Sequence, residues 1–217
     1  MVYQANNDLM LGRKKQKYPI PKRFPNDKRI RVPGLTLTNR EVSNLLRGRV
    51  AVEEKMDGKS VSFLASGKFL IFAVDLERQR SVNYKVPGRF AVSDVFDVER
   101  GVYVFPTERT ERVMALRKGD IIVEGIEPVQ FFPVPQLEKG NFSMSELPDL
   151  IVDSAYSTDS MHGIVVRPDR DLFAVEFIAG EIVRPSGEEM EGVTRLPAEL
   201  NAIDPTVEVV LRLSQGN

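Results

Sequence analysis

The sequence predicts an α+β fold built on antiparallel β-sheets with a few helices. Three observations point there. Seven short runs rich in Val, Ile and Phe, at 50–54, 60–65, 69–74, 102–105, 121–124, 163–167 and 172–178, are bounded by Gly, Pro or Asp turns and read as strands. Helical spacing is confined to a few short segments. The 217 residues, 42% hydrophobic and 28% charged, have the composition of one sizeable globular domain.

In chain order, residues 1–33 are polar, basic and broken by Pro21, Pro25 and Pro33, so they read as an arm with little regular structure. A helix is expected over 38–46, with Thr38 or Asn39 as cap, Glu41 in the first turn and Gly48 as its stop. The strands at 50–54 and 60–65 flank Asp57-Gly58, a strong hairpin signal, and Pro168-Asp169-Arg170-Asp171 is a second such connection. Helices are also expected at 107–117 and at 143–154, the latter interrupted by Pro148. Residues 34–185 form the expected domain, and 186–217 a C-terminal extension with a short helix and a strand near 207–213.

No apolar run approaches the roughly 20 residues needed to span a bilayer, and no apolar stretch follows a positive start. The absence of cysteine excludes disulfides and thiolate chemistry and fits a cytoplasmic protein. The net charge of −1 hides an asymmetry. Residues 1–31 carry nine Lys/Arg against Asp8 and Asp27, a charge of +7, and the rest of the chain carries −8. Such an arm, with Arg13, Lys14, Lys15 and Lys17 clustered, is a candidate phosphate-backbone contact or else a solvated leader.

The segment Glu54-Lys55-Met56-Asp57-Gly58 ends an apolar strand on a lysine with a tight turn immediately after it. It resembles the nucleophile motif, lysine-any-Asp-Gly, of the covalent nucleotidyltransferases: ATP-dependent DNA ligases, RNA ligases and mRNA capping enzymes. Ser60 after the motif is more similar to the RNA ligase branch. Gly119 to Gly125 resembles the strand-borne acidic motif that contacts the ribose, with Glu124 as the match, and Phe131-Phe132 comes next, where the family places an aromatic on the base. Arg78 or Arg80 is similar to the arginine downstream of the nucleophile motif. Met161-His162-Gly163-Ile164-Val165-Val166-Arg167 resembles the family's Glu-Gly-Ile/Val-Val-x-Arg strand.

The resemblance implies an ATP-grasp-like ligase domain in which Lys55 attacks the α-phosphate of ATP and forms lysyl-AMP. It implies nucleotide contacts from Glu54, Met56, Asp57, Gly58, Arg80, Glu124, Phe132 and Arg167. It also implies Mg²⁺ or Mn²⁺, and RNA or DNA ends as partners, RNA before DNA. Two departures stand out. His162 occupies the place of a metal-binding glutamate, with Glu124 the remaining metal candidate, although imidazole suits hard cations poorly. Glu176 stands where the last motif has a lysine, and no lysine occurs beyond Lys139. The pair is expected side by side at the phosphates. A pseudo-ligase that binds nucleotide or nucleic acid without turnover is therefore the alternative, and an unrelated domain with a plain hairpin at Asp57-Gly58 is a third reading.

If the arm holds nucleic acid, deleting residues 1–17 should flatten log K against log[salt] by roughly 3–4 units. An unchanged slope would show a passive leader.

Overall fold

The computed structural model describes the backbone of residues 8–11, 14–17, 22–23, 37–168, 175–178 and 200–211, and side chains over 37–168 and 200–211. Strands β1 (Asp8–Leu11), β2 (Lys14–Lys17) and β3 (Lys22–Arg23) precede helix α1 (Asn39–Leu46). Then come β4 (Val50–Glu54), β5 (Lys59–Ala65), β6 (Phe69–Asp75), β7 (Lys85–Val86), β8 (Phe90–Asp97) and β9 (Val102–Tyr103). Helix α2 (Pro106–Lys118) leads to β10 (Phe131–Pro133), β11 (Gln136–Gly140), β12 (Gly163–Pro168), β13 (Val175–Ile178) and β14 (Ala202–Ile203).

The fold is α+β, with two main sheets. One has the order β10-β8-β6-β5, with β9 on β8, and the other the order β11-β4-β12-β13-β3. Most pairs are antiparallel, but β10–β8, β13–β3 and β14–β7 are parallel. Strands β12 and β13 pair antiparallel, as the Pro168–Asp171 connection suggests.

Local chemistry explains the helices. Thr38 and Glu41 close a capping box on α1, each side chain taking the other's backbone amide. Val42 and Leu45 of α1 are buried with Val50, Val52, Ile164 and Val166 on one face of the second sheet. Helix α2 starts on Pro106 and stops at Gly119, whose φ of 87° is left-handed. Its Val113 and Leu116 join Phe63, Ile71, Val92 and Phe131 on the first sheet.

Several expectations are corrected. The Asp57-Gly58 segment is not a hairpin: β4 and β5 belong to different sheets, so residues 55–58 cross from one to the other. The arm contains an antiparallel pair, β1–β2, carrying Lys14, Lys15 and Lys17, while Arg13 lies outside the described residues. Of residues 121–124 only Val123 makes an isolated bridge, to Ala65, and 143–154 holds one 3₁₀ turn, Leu147–Leu150, around Pro148. Residues 207–211 form no strand. Strand β8 is central to the first sheet although Ser93 and Asp94 break its apolar alternation; the β6–β8 register skips Ser93, whose carbonyl accepts from Arg109.

A buried ionic network ties the sheets together. Glu53 of β4 accepts from Arg109 of α2 and, at 2.8 Å, from Arg167 of β12, which also donates to Asp94 of β8 at 3.0 Å. Burial pushes the Glu53 carboxyl up, but the two guanidiniums outweigh it and hold it below the usual range. Removing a buried partner leaves uncompensated charge. Glu53→Ala should therefore lose about 3–5 kcal/mol of unfolding free energy in urea, against a near-neutral Lys68→Ala control; a loss below about 1 kcal/mol would show the network dispensable.

Candidate active site at the crossing between the sheets

Alternation along β4 sends consecutive carboxylates to opposite faces. Glu53 enters the intersheet network, while Glu54 accepts from the Ser154 hydroxyl at 2.6 Å and the Ala155 amide at 3.0 Å. Glu54 is buried, and desolvation raises its pKa despite those two donors. The backbone amide of Lys55 then bonds the Gly163 carbonyl at 2.9 Å, pinning the lysine's Cα to the start of β12.

Met56 turns into a core shared with Tyr84, Phe132 and Tyr156. The Asp57 amide donates to the Tyr84 hydroxyl at 3.0 Å. The Asp57 carboxylate accepts from both the amide and the hydroxyl of Ser81, at 2.8 and 2.5 Å. Burial pushes Asp57 up, yet these bonds, with the charges of His162 and Lys55, bring it below its ordinary value. At Gly58 a Cβ would lie 2.4 Å from the Asp75 carbonyl oxygen and 2.6 Å from a Val74 methyl, so only glycine lets the crossing pass this close to β6.

His162 closes the arrangement. Its Nδ1 lies 3.0 Å from the Ser81 hydroxyl and 4.0 Å from the Asp57 carboxylate. Because Ser81 gives its one hydroxyl hydrogen to Asp57, the hydrogen between His162 and Ser81 belongs on Nδ1. Beside the crossing, Lys59, Arg78, Gln79 and Arg80 line a cavity whose acidic members, Asp75 and Glu77, are both paired with Arg89.

The crossing thus gathers Glu54, Lys55, Met56, Asp57, Gly58 and His162, with Arg80 in the adjoining cavity. Four other expected residues lie elsewhere. Glu124 is in an exposed turn next to Val123, which bridges Ala65 at the far end of β5, six strand rises or roughly 20 Å from Lys59. Phe132 is fully buried and offers no free ring face to a base. Arg167 is buried in the network with Glu53 and Asp94. Glu176 is registered opposite Val165, whereas Ile178 pairs Gly163, so it does not stand beside His162.

Among the described residues no three His, Cys, Asp or Glu side chains converge to hold a metal ion. With His162 turned to Ser81 and Glu124 remote, the donor set does not fit a hard divalent cation. Sequence reasoning missed Ser81, Tyr84 and Ser154, which are ordinary polar residues in loops and carry no motif. Glu53 and Asp94 left a faint signal, as charges inside apolar runs.

No protein-family model matches the sequence, and no curated protein matches it. Among solved structures the chain is similar to a Naegleria gruberi RNA ligase, a mutant with ATP and Mn, at 14% identity and a TM-score of 0.48. The match covers 65% of this chain and 52% of that one, so it spans about half of that protein. No helix among the described residues is long and apolar enough to cross a membrane.

Glu54 sets a pH signature. Its folded pKa lies above the unfolded one, so the folded state holds the proton more tightly. The stability it contributes is present below the ordinary carboxylate value and is lost as pH rises through the raised one. Glu54→Gln should remove that fall from the unfolding free energy measured against pH. An unchanged difference between wild type and variant across this window would show that Glu54 titrates normally.

Proposed function

We propose that the chain is an ATP-dependent, ligase-like nucleotidyltransferase that acts on polynucleotide ends, RNA rather than DNA, through lysyl-AMP at Lys55. One observation carries this reading: residues 55–58 are a fixed crossing and not a turn. A hairpin tip needs no hydrogen-bonded aspartate and no room-limited glycine, whereas here Asp57 is held by Ser81 and Tyr84, and Gly58 is pressed against β6. Such anchoring holds the base of a lysine side chain in one place, which is what a nucleophile requires.

In the reaction, Nζ of Lys55, as the neutral amine, attacks the α-phosphorus of ATP. An N–P bond forms, the bond to the bridging oxygen breaks, pyrophosphate leaves with the electron pair, and the amine proton passes to solvent. Lys59, Arg78 and Arg80 supply positive charge at the adjoining cavity, where phosphoryl transfer gains most from charge neutralisation. An oxygen of a 5′-phosphate end then attacks the phosphorus of lysyl-AMP: a P–O–P bond forms, the N–P bond breaks, and the Lys55 amine leaves with a proton from solvent, so that the adenylylated end is activated for sealing. The basic arm supplies further contact to the strand.

A second reading, a module that binds nucleotide or nucleic acid without turnover, is favoured by the His162–Ser81–Asp57 contacts, which stand in place of metal donors. Intact-mass measurement after incubation with ATP and Mg²⁺ or Mn²⁺ separates the two. Wild type and Lys68→Ala should gain one AMP, and Lys55→Ala none. An adduct that survives Lys55→Ala would sink the assignment, and a wild type that binds ATP without any adduct would establish the binding module.

A further inference from the structure

Residues 200–211 return to the back of the crossing. Leu200 bridges Arg78, β14 pairs β7 in parallel, the Asp204 amide donates to the Val86 carbonyl, and the Val210 amide donates to the Tyr156 hydroxyl. At the centre is Asn201, 6% exposed. Its backbone amide donates to the Glu77 carbonyl at 3.1 Å and its Nδ2 to the Leu76 carbonyl at 2.7 Å, while its Oδ1 accepts from the Tyr84 amide at 2.8 Å. A buried amide side chain thus places its donor on the residue that follows β6 and its acceptor on the residue that precedes β7, using both halves of the amide at once.

Both residues it holds touch the nucleophile segment. Tyr84 takes the Asp57 amide on its hydroxyl. Leu76 packs against Gly58, where an added Cβ would come within 3.0 Å of its methyl. We infer that Asn201 is a positioning residue for Lys55: through Tyr84 and Leu76 it sets where Asp57 and Gly58 lie, and hence where the lysine's backbone is held, without touching substrate. The inference rests on the proposed role of Lys55 for its catalytic consequence, while its structural half stands independently. Through Leu200 and Arg78 the same segment also backs the cationic cavity, so residues far apart in sequence set the two parts of the site together.

Hydrogen exchange and adduct kinetics on the full chain test this. In Asn201→Ala the Asp57 amide should exchange about tenfold faster or more, while the amides of Val52 and Leu70 in the sheet centres stay within about twofold. The maximum rate of adduct formation should fall about tenfold, with the half-saturating ATP concentration within about twofold, because placement and not affinity is lost. Tyr84→Phe removes only the acceptor and should speed Asp57 exchange alike, and the double variant should add little, since the two act in one line. An unchanged Asp57 amide in folded Asn201→Ala, or effects of the two substitutions that multiply, would overturn the inference. Should Asn201→Ala not fold, Asn201→Asp, which keeps the acceptor but loses the donor to Leu76, is judged by the same two amides. If wild type forms no adduct, the proposed activity fails and the exchange measurements still decide the role of Asn201.

Discussion

Glu53 is a carboxylate sealed between two sheets, and such a charge is tolerated only where cations reach it. Arg109 arrives from α2, and Arg167 arrives from β12 while also engaging Asp94 on β8. This network therefore touches both sheets and the helix that covers one of them. With β4 fixed at its penultimate residue, the position at which the chain leaves the second sheet is fixed as well. The crossing starts from that exit, and its geometry depends on it.

Beyond that exit, neighbouring residues divide the labour. Glu53 faces the intersheet network and Glu54 the Ser154 loop, Met56 enters the core, and Asp57 is held by Ser81 and Tyr84. Lys55 is the half-buried residue of this run, its backbone tied to Gly163 and its charge close enough to act on Asp57. The Ser81 hydroxyl donates to the Asp57 carboxylate, and His162 lies 4.0 Å from it, so the aspartate is engaged by the protein's own side chains.

Residues 200–211 change the meaning of the C-terminal part. Read as sequence, this stretch belongs to a C-terminal extension beyond the domain. Folded, Asn201 is one of the buried polar residues among those described, and the backbone of β14 completes a small sheet with β7 behind the site. A buried polar group of this kind needs every partner it has, which ties the extension's position to that of Tyr84 and Leu76.

The sequence by itself determined the local features: the helix over 38–46 with Thr38 and Glu41 at its start, the helix over 107–117, the strand character of 50–54 and 163–167, and the lysine-x-Asp-Gly segment as the place of interest. Each depends on residues within a few positions of one another. Tertiary structure alone decided that Asp57-Gly58 crosses between sheets, that β8 with its polar Ser93 and Asp94 is central, and that Glu124, Phe132 and Arg167 lie outside the crossing. It also decided the partners of the site, since Asp57 meets Ser81 and Tyr84 at separations of 24 and 27 residues, and Tyr84 meets Asn201 at 117. The physical reason is register. Which residues face each other across two sheets is set by strand pairing and by buried charges seeking partners, and neither leaves a periodic trace in the chain.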